Sequence, residues 1–493
     1  MKLINKKNIL IFIIIFLFGL AIAYPLIIQM HFAPDTYQVV VLGYKEYAKQ
    51  YFLKSGRIIT VASFFLADKL NISYKAYIIF MELLAIASQS FSTLLLYGLL
   101  IRKTEVKNNT YKYLLLASSF LIIFNPFALE FLLYAESGII CLSILFCILG
   151  LRVFFSNSKY RYLKAMILVI IATVLYQGNV NIFFTLAVMF SFIVNRRNEK
   201  QNWKNTIKDI FLAGTILVIA FVFTTILIFI CNNIINEEQK RFANEYNISI
   251  LEIFKSFIST SKSILINGFN FIHKGILLYA IIFTAFFIAI KTELSYLIKY
   301  IFTIFIALAV CILPIYTMKE IFINARMCMS IGAIIGISFV YMIMKINYKS
   351  KIEKSILITI ISMTIIYTGY NYLTISQSNI EENKIDNEVG YKIKDIVQNY
   401  EKEKNIKITK VAVTNDSDRS FYSSKKINNT FTERSTANYY CIKEVLEYYL
   451  QTPITKVKMD EYIYNNNFKD KNWDEFSEEQ IVIKDDVMYM CIY

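Results

Sequence analysis

Long, uninterrupted apolar runs are the feature that most restricts what this chain can fold into. Residues 9–23 have the sequence IleLeuIlePheIleIleIlePheLeuPheGlyLeuAlaIleAla, and comparable runs recur along the chain. A helix of about 20 apolar residues matches the roughly 30 Å hydrocarbon core of a bilayer. Because 56% of the 493 residues are hydrophobic and only 18% are charged, the composition excludes a soluble enzyme, a fibrous protein and a disordered chain. We predict an all-α polytopic membrane protein.

The apolar runs predict eleven membrane spans. The first is expected to be a membrane helix and not a cleaved signal peptide, because it is too long and no small-residue cleavage pattern follows it. The stretch 58–70 is too short to cross the bilayer alone, and we expect an interfacial or re-entrant helix there. The predicted spans lie at residues 9–30, 74–101, 113–128, 138–155, 163–177, 180–194, 209–232, 275–290, 297–316, 327–345 and 355–375.

The loops between these spans alternate in charge. Cytoplasmic loops carry an excess of Lys and Arg, and here every second loop is basic if the N-terminus is inside: 102–112, 152–164, 196–208, 291–299 and 345–354. An odd number of spans then places the tail on the extracytoplasmic side of a bacterial cell membrane. Residues 1–376 carry a net charge of +19 and the tail carries −4. The positive charge therefore orients helices, and we expect no nucleic-acid partner.

The tail, 377–493, differs from the rest in its periodicity. Apolar residues recur at helical spacing over 388–400, whereas 407–415 alternates as a strand does, and two further strands are expected at 476–483 and 488–493. We therefore predict two domains: a transmembrane domain at 1–376 and a small soluble extracytoplasmic α/β domain at 377–493. Cys441 and Cys491 lie in the second domain, and their spacing leaves open whether they form a disulfide.

The loop after the first span contains two candidate functional residues. Asp35 follows Pro34 a few residues beyond the membrane, where a carboxylate suits a general base that takes a proton from a hydroxyl; the alternative is an N-terminal cap for a helix at 36–53. Arg57 ends the same loop and is suited to bind a lipid phosphate with paired hydrogen bonds. Its alternative is ordinary contact with lipid headgroups.

The second outer loop places Glu130, Tyr134 and Glu136 at the membrane surface, where acidic groups are costly unless they are hydrated or paired. These carboxylates either orient a sugar, coordinate a divalent cation together with Asp35, or mark the interface. The spacing of these two carboxylates does not match any known metal-binding motif. No cofactor is therefore certain, and a divalent cation stays an open alternative.

Two further loops contain candidate functional residues. The sequence TyrGlnGlyAsnValAsn (176–181) supplies amides that either bind sugar hydroxyls or form a simple turn. Lys319 and Arg326 lie in the short loop 317–326, where they either neutralise a leaving phosphate or contact headgroups. No P-loop and no inner-loop DxD motif is present, which argues against a nucleoside triphosphate or a nucleotide sugar as substrate.

Several of these segments together resemble a known family. ProAspThrTyrGln (34–38), LysSerGlyArg (54–57), the AsnProPhe…Glu…Glu loop (125–136) and TyrGlnGlyAsn (176–179) resemble the bacterial serotype-conversion (Gtr-type) glucosyltransferases over approximately residues 1–376. The segment 471–481 is similar to tails on Gram-positive members. The resemblance implies a polytopic GT-C fold, a polyprenyl-phosphate sugar donor and an active site that opens to the extracytoplasmic side. It also implies an acidic residue in the first outer loop, here Asp35.

We therefore expect a membrane glycosyltransferase that moves a sugar, by resemblance glucose, from a polyprenyl-phosphate donor to a cell-surface glycan. Asp35 is the expected base, and Arg57 with Lys319 or Arg326 is expected to bind the donor phosphate. The expected partners are the lipid-linked sugar, the surface glycan and the bilayer. A surface polysaccharide polymerase, a lipid-linked sugar transporter and a non-enzymatic sensor are the alternatives. The residues expected to contact substrate are Tyr37, Glu130, Tyr134, Glu136, Tyr176 and Gln177.

Overall fold

The computed structural model describes residues 6–104, 106, 108–197, 200–235, 250–291, 294–317, 323–346, 350–415, 434–473 and 475–492. Within these ranges, seven helices are long and apolar enough to cross a membrane, or eight if the bent pair Asn109–Ile123 and Pro126–Leu133 is one span. The chain is therefore a helical, polytopic membrane protein, as its apolar runs predict. The seven helices are Lys6–Ile28, Tyr74–Thr104, Ser137–Phe154, Gln177–Val194, Trp203–Ile234, Leu294–Tyr316 and Lys351–Lys404.

The other predicted spans are also helical, but their helices are shorter. They are Arg161–Leu175, Ile276–Lys291 and Ile334–Ile343. These helices have 15, 16 and 10 residues and therefore extend only about 15–24 Å at about 1.5 Å per residue, which is less than the hydrocarbon thickness. The total of eleven spans therefore stays a prediction. The stretch 58–70 holds the helix Ile58–Lys69 of 12 residues, and its placement in the bilayer likewise stays a prediction.

One predicted loop contains a helix. Residues 233–274 were expected to be a long outer loop, yet Ile250–Asn267 is helical over 18 residues. Phe257 and Ile264 are seven positions apart and both are buried, which is the spacing of one helix face. The polar residues interspersed in this segment hide that pattern from a search for continuous apolar runs. Residues 236–249 of the same loop lie outside the described residues.

Short elements connect the long helices. The helical ones are a π-helix at Ala48–Leu53 and 3-10 or short α-helical turns at Gln177–Asn179, Gly268–Asn270, Leu313–Thr317, Ala325–Met327 and Met329–Gly332. Arg196–Arg197 and Lys200–Gln201 pair as a two-stranded antiparallel ribbon. Three of the apolar helices given above have slightly different bounds when only their α-helical part is counted. These parts are Val180–Val194, Trp203–Ile235 and Leu294–Ile312.

The chain divides into two compact units. The first contains residues 1–24 and 48–373, and the second contains 25–47 and 374–493. This division differs from the predicted 1–376 and 377–493, because the segment after the first span belongs with the tail. Its helix, Pro34–Leu42, is followed by Gly43, whose φ of +79° ends it, and by the short helix Tyr44–Tyr47. The single helix expected at 36–53 is therefore wrong.

The second unit contains a four-stranded mixed sheet, and its strand order is Thr455–Lys456, Lys410–Asn415, Val487–Ile492, Ile481–Lys484. Lys410–Asn415 pairs in parallel with both neighbours, and the last two strands form an antiparallel hairpin. Asp485 has φ +56° in the two-residue turn between them, a conformation that Asp tolerates in hairpin turns. The strands predicted at 407–415 and 488–493 are thus confirmed, and the strand predicted at 476–483 begins only at Ile481. The helix predicted at 388–400 lies within Lys351–Lys404.

Helices complete the second unit. Ile442–Leu450 is the longest helix that follows the first strand in the described residues, and short turns occur at Ser435–Ala437, Glu461–Ile463, Tyr464–Phe468 and Glu478–Gln480. The core combines the end of the Lys351–Lys404 helix (Val389, Ile393, Val397), the sheet and Tyr37 from the Pro34–Leu42 helix. Cys441 and Cys491 are buried free thiols in separate apolar clusters, so they form no disulfide.

Candidate functional site

A tight turn in the first unit presents Arg57. Gly56 has φ +70°, a conformation that glycine adopts without steric cost, and a Cβ at this position would lie 2.8 Å from Cγ1 of Ile228. On the other side, Nε2 of Gln177 donates to the carbonyl oxygen of Ser55 at 3.0 Å. The turn is therefore fixed from two sides, and Arg57 follows it directly.

The guanidinium of Arg57 lies between an aromatic ring and a carboxylate. Its Cζ is 4.8 Å from the ring centroid of Tyr176, and its Nη1 is 3.6 Å from Oε1 of Glu136. Glu136 directly precedes the helix Ser137–Phe154, where the helix dipole favours negative charge. The two side chains are only 22% and 10% exposed, so this ion pair is largely removed from solvent.

Arg326 has a similar environment. Its backbone N–H donates to Oε2 of Glu130 at 2.7 Å, and its Nε lies 3.8 Å from Oε1 of the same carboxylate. Its Cζ is 4.0 Å from the ring centroid of Tyr134. One carboxylate thus contacts both the backbone and the side chain of Arg326. This carboxylate belongs to Glu130, which lies in the buried 3-10 helix Pro126–Leu133.

The two pairs meet at Tyr176. Its phenol is within electrostatic range of all four charged side chains, and its ring packs edge-on against Phe131 at 6.3 Å. The structure therefore brings together predicted site residues from distant loops. We name these six residues the paired-arginine cluster: Arg57, Glu130, Tyr134, Glu136, Tyr176 and Arg326.

The cluster retains hydrogen-bonding capacity. Charge-assisted N–H···O bonds are typically about 2.7–2.9 Å long, whereas the two ion pairs measure 3.6 and 3.8 Å. In the part of the chain that the structure describes, Nε of Arg57 is buried and has no hydrogen-bond partner. A buried donor left unpaired costs about 1–3 kcal/mol, so an acceptor atom of a ligand would be favoured beside Arg57.

The amides of 176–181 bond to the protein itself. Gln177 fixes Ser55, Asn179 donates to the carbonyl oxygen of Ile140 at 2.9 Å, and Asn181 donates to that of Met327 at 2.8 Å. These bonds support the loops that carry Arg57 and Arg326. Gln177 therefore has a positioning role through one of its amide N–H groups, and its predicted contact with substrate stays a prediction. Asn181 has the same kind of role, which its spacing in the sequence does not indicate.

Two predicted residues belong to the second unit. Asp35 is half-buried in the first turn of the Pro34–Leu42 helix, and Ala33 occupies the cap position, so the predicted capping role is wrong. Tyr37 is 1% exposed, and its hydroxyl lies 3.4 Å from that of Tyr449. Its ring packs against Phe32 with centroids 4.8 Å apart. Burial in this core, which raises the pKa of Tyr37, leaves no face of the ring for the substrate contact that was expected.

Lys319, the remaining predicted phosphate ligand, lies outside the described residues. Among the residues that are described, no three His, Cys, Asp or Glu side chains are grouped so as to hold a metal ion. Glu130 and Glu136, for which cation binding was one of three alternatives, each pair with an arginine. The chain matches no family model, no curated protein and no solved structure.

Proposed function

We propose that this protein is a membrane glycosyltransferase that moves a sugar, glucose in the simplest case, from a polyprenyl-phosphate donor to a cell-surface glycan. The observation that carries the proposal is the paired-arginine cluster. Two arginines with largely buried side chains lie within electrostatic range of one phenol, and Nε of Arg57 keeps an unused donor. Such a set of donors suits a phosphate whose negative charge increases as it leaves.

The proposed reaction is a single displacement with inversion. The bond between the anomeric carbon and the phosphate oxygen breaks, and its electron pair stays on the phosphate, which Arg57 and Arg326 stabilise. The acceptor hydroxyl oxygen bonds to the anomeric carbon, and its proton passes to a carboxylate base, for which Asp35 is the predicted residue. Positioned basic groups of this kind contribute roughly 10²–10⁴-fold to a rate. The rings of Tyr134 and Tyr176 hold the guanidinium groups of Arg326 and Arg57 in place for the phosphate.

We further propose that the N-terminus is cytoplasmic and the second unit is extracytoplasmic, in a bacterial cell membrane. The basic loops support this orientation, because Lys and Arg accumulate on the cytoplasmic side. The segment that carries Arg326 would then be on the outer side, together with the loop that carries Glu130 and Glu136. This orientation is tested by cysteine labelling of intact cells at position 35, which should react with a membrane-impermeant maleimide.

The proposal is tested by sugar transfer in membranes that contain the full chain, with a radiolabelled polyprenyl-phosphate glucose donor and isolated wall polymer as acceptor. Arg57→Gln and Arg326→Gln should each lower the rate about 10²–10³-fold, as the loss of one charge-stabilising donor typically does. Arg102→Gln, an exposed arginine outside the cluster, is the matched control and should keep the wild-type rate. Wild-type rates for both cluster variants would overturn the proposal.

Gene deletion followed by sugar analysis of the wall polymers separates the proposed transfer from its alternatives. Loss of one side-branch sugar with unchanged chain length is the expected result. Shortened chains would indicate a polymerase, and unchanged polymers would indicate transport or sensing. Either of these two outcomes would contradict the proposed reaction.

A further inference from the structure

An apolar groove of about 480 Å³ opens on the surface of the first unit, away from the paired-arginine cluster. Three helices form its walls: Ile276–Lys291, Ile334–Ile343 and Lys351–Lys404. The first two are short, and the groove lies where they pack beside the much longer third helix. The residues that line it are Ile276, Tyr279, Ala280, Phe283, Thr284, Ile335, Ser338, Phe339, Met342, Ile360, Met363, Thr364 and Tyr367.

The walls are suited to a hydrocarbon chain. Of the few hydroxyls in the lining, that of Thr364 donates to the carbonyl oxygen of Ile360 at 2.8 Å, and that of Ser338 lies 2.8 Å from the hydroxyl of Tyr300. These two polar atoms are therefore satisfied within the protein, whereas Oγ1 of Thr284 is buried and has no hydrogen-bond partner among the described residues. Tyr279 and Met363 are about two-thirds exposed at the groove, so it is open sideways. In a membrane-spanning unit, the medium at such an opening is the lipid bilayer.

One end of the groove is connected to the paired-arginine cluster through a series of contacts between intermediate residues. The hydroxyl of Tyr367 accepts a hydrogen bond from the backbone N–H of His273 at 2.7 Å. Two residues before His273, the ring of Phe271 lies 6.0 Å from that of Phe127, centroid to centroid. Phe127 precedes Glu130 by three residues in one 3-10 helix, or roughly 6 Å at about 2.0 Å rise per residue.

A second contact connects the same parts of the first unit. The hydroxyl of Tyr372, which follows Tyr367 on the long helix, donates to the carbonyl oxygen of Asn125 at 3.1 Å. Asn125 caps the 3-10 helix that contains Glu130, and Glu130 holds Arg326. Asn125 and Phe127, at the start of the 3-10 helix that contains Glu130, therefore link the groove to the cluster.

We propose that this groove binds the isoprenoid chain of the lipid-linked donor while its phosphate is bound at the paired-arginine cluster. The inference rests on the proposed function for the identity of the head group. A chain lying along the groove past Tyr367 would have its phosphate end directed toward Phe127 and Arg326. The chain would enter the groove from lipid and not from water, so its affinity would come from close packing against the groove walls and not from the hydrophobic effect.

Filling the groove tests this assignment. Ala280→Trp places an indole in the groove, whereas Ala289→Trp, on the exposed side of the same helix and outside the lining, is its matched control. Met363→Trp and the exposed control Ile366→Trp repeat the comparison on the long helix. Binding of undecaprenyl phosphate to the purified full chain is measured by native mass spectrometry, in competition with phosphatidylglycerol.

We expect wild type and both controls to bind undecaprenyl phosphate, and both groove variants to bind it at least about 10-fold more weakly, a change of about 1.4 kcal/mol. With a glucosyl donor that carries only two isoprene units, the groove variants should transfer at the wild-type rate. Equal binding by groove variants and controls would overturn the inference. Displacement of undecaprenyl phosphate by an equal concentration of phosphatidylglycerol would also overturn it, because any acyl chain would then suffice.

The binding measurement separates failure of this inference from failure of the proposed function. If the groove variants lose undecaprenyl phosphate but wild type transfers no sugar, the groove assignment stands and the glycosyltransferase proposal fails. If wild type transfers sugar and the groove variants keep both binding and transfer with the long-chain donor, the glycosyltransferase proposal stands and the groove assignment fails.

Discussion

The side-chain amide of Asn383 pairs with the backbone of Phe32. Its Nδ2 donates to the carbonyl oxygen of Phe32 at 2.9 Å, and its Oδ1 accepts from the backbone N–H of the same residue. This pair of hydrogen bonds resembles the pair that two facing residues exchange in an antiparallel sheet, although neither residue is in a strand. It attaches the segment 25–47 to the rest of the second unit across 351 residues of sequence.

Replacing that amide should destabilise the second unit. Asn383→Ala removes the two hydrogen bonds that this side chain makes with the buried backbone of Phe32, and losing a buried hydrogen bond costs about 1–3 kcal/mol. The full chain in detergent should therefore be cleaved by protease at lower temperature or denaturant concentration. Asn399→Ala, an exposed position on the same helix, should leave the cleavage profile unchanged. Equal profiles for the two variants would contradict the prediction.

The segment 25–47 should also be needed for the tail to fold. Phe32 and Tyr37 are core residues of the second unit, and fully burying a large apolar side chain contributes about 1.5–3 kcal/mol. A fragment of residues 377–493 alone should therefore show weak near-ultraviolet circular dichroism and bind a hydrophobic dye. Joining residues 25–47 to this fragment through a flexible linker should restore the signal, and a fully folded unlinked fragment would show that the segment is dispensable.

Gly390 is a position where even one methyl group should be costly. A Cβ at this position would overlap the ring of Tyr449, which is buried in the core of the second unit. Overpacking of this kind typically costs about 1–3 kcal/mol, so Gly390→Ala should lower the thermal midpoint of the full chain. Gly369→Ala on the same helix is the control, because its Cβ would have ordinary contacts of 3.4 Å or more. A midpoint lowered equally by both variants would not fit this explanation.

Asp35→Asn should remove sugar transfer while the protein stays abundant in the membrane. An amide cannot accept the proton of the acceptor hydroxyl, so a loss of about 10²–10⁴-fold is expected if this carboxylate is the base. Transfer of radiolabelled glucose is compared with protein abundance in the same membranes. Glu46→Gln, another acidic position in the same loop region, should keep its rate. A variant at position 35 with full activity would exclude it as the base.

Glu444 should make the second unit less stable as the pH rises. Burial raises the pKa of this carboxyl group, and the nearby Lys443 and Lys456 offset that effect only in part. The folded state then holds a proton that the unfolded state has released, so stability falls from the ordinary glutamate pKa of about 4.3 up through the raised value. Below that range both states are protonated and the effect vanishes.

The measurement is the denaturation midpoint of the full chain between pH 4 and pH 8. Glu444→Gln should flatten the decline in this range and raise the midpoint at pH 8, whereas the exposed Glu475→Gln should reproduce the wild-type curve. A steeper decline in Glu444→Gln than in wild type would reverse the sign of the argument.

Most of the helical architecture could be predicted from the sequence, because a membrane-spanning helix satisfies its own backbone and needs only a run of apolar residues. The strands of the tail were predictable for a similar reason, since alternation of side chains is local. The helix Ile250–Asn267 was missed because its apolar residues lie on one face among charged ones. No continuous run marks such a helix.

The composition of the candidate site was predicted, but its internal pairing was not. The residue types in three predicted outer loops indicated arginines and carboxylates for a lipid phosphate. That Glu136 pairs with Arg57, and Glu130 with Arg326 across 196 residues, depends on how separate helices pack. The use of Gln177 and Asn181 to fix those loops depends on the same packing.

The sequence by itself determined that this is a helical membrane protein with a small mixed α/β unit, because hydropathy and periodicity act over neighbouring residues. Only the tertiary structure decided that Tyr37 is a core residue of the second unit, and that the segment 25–47 belongs with the tail. The physical reason is that contacts such as Asn383 with Phe32 join residues far apart in the chain. Their geometry is set by the packing of whole elements and leaves no local pattern in the sequence.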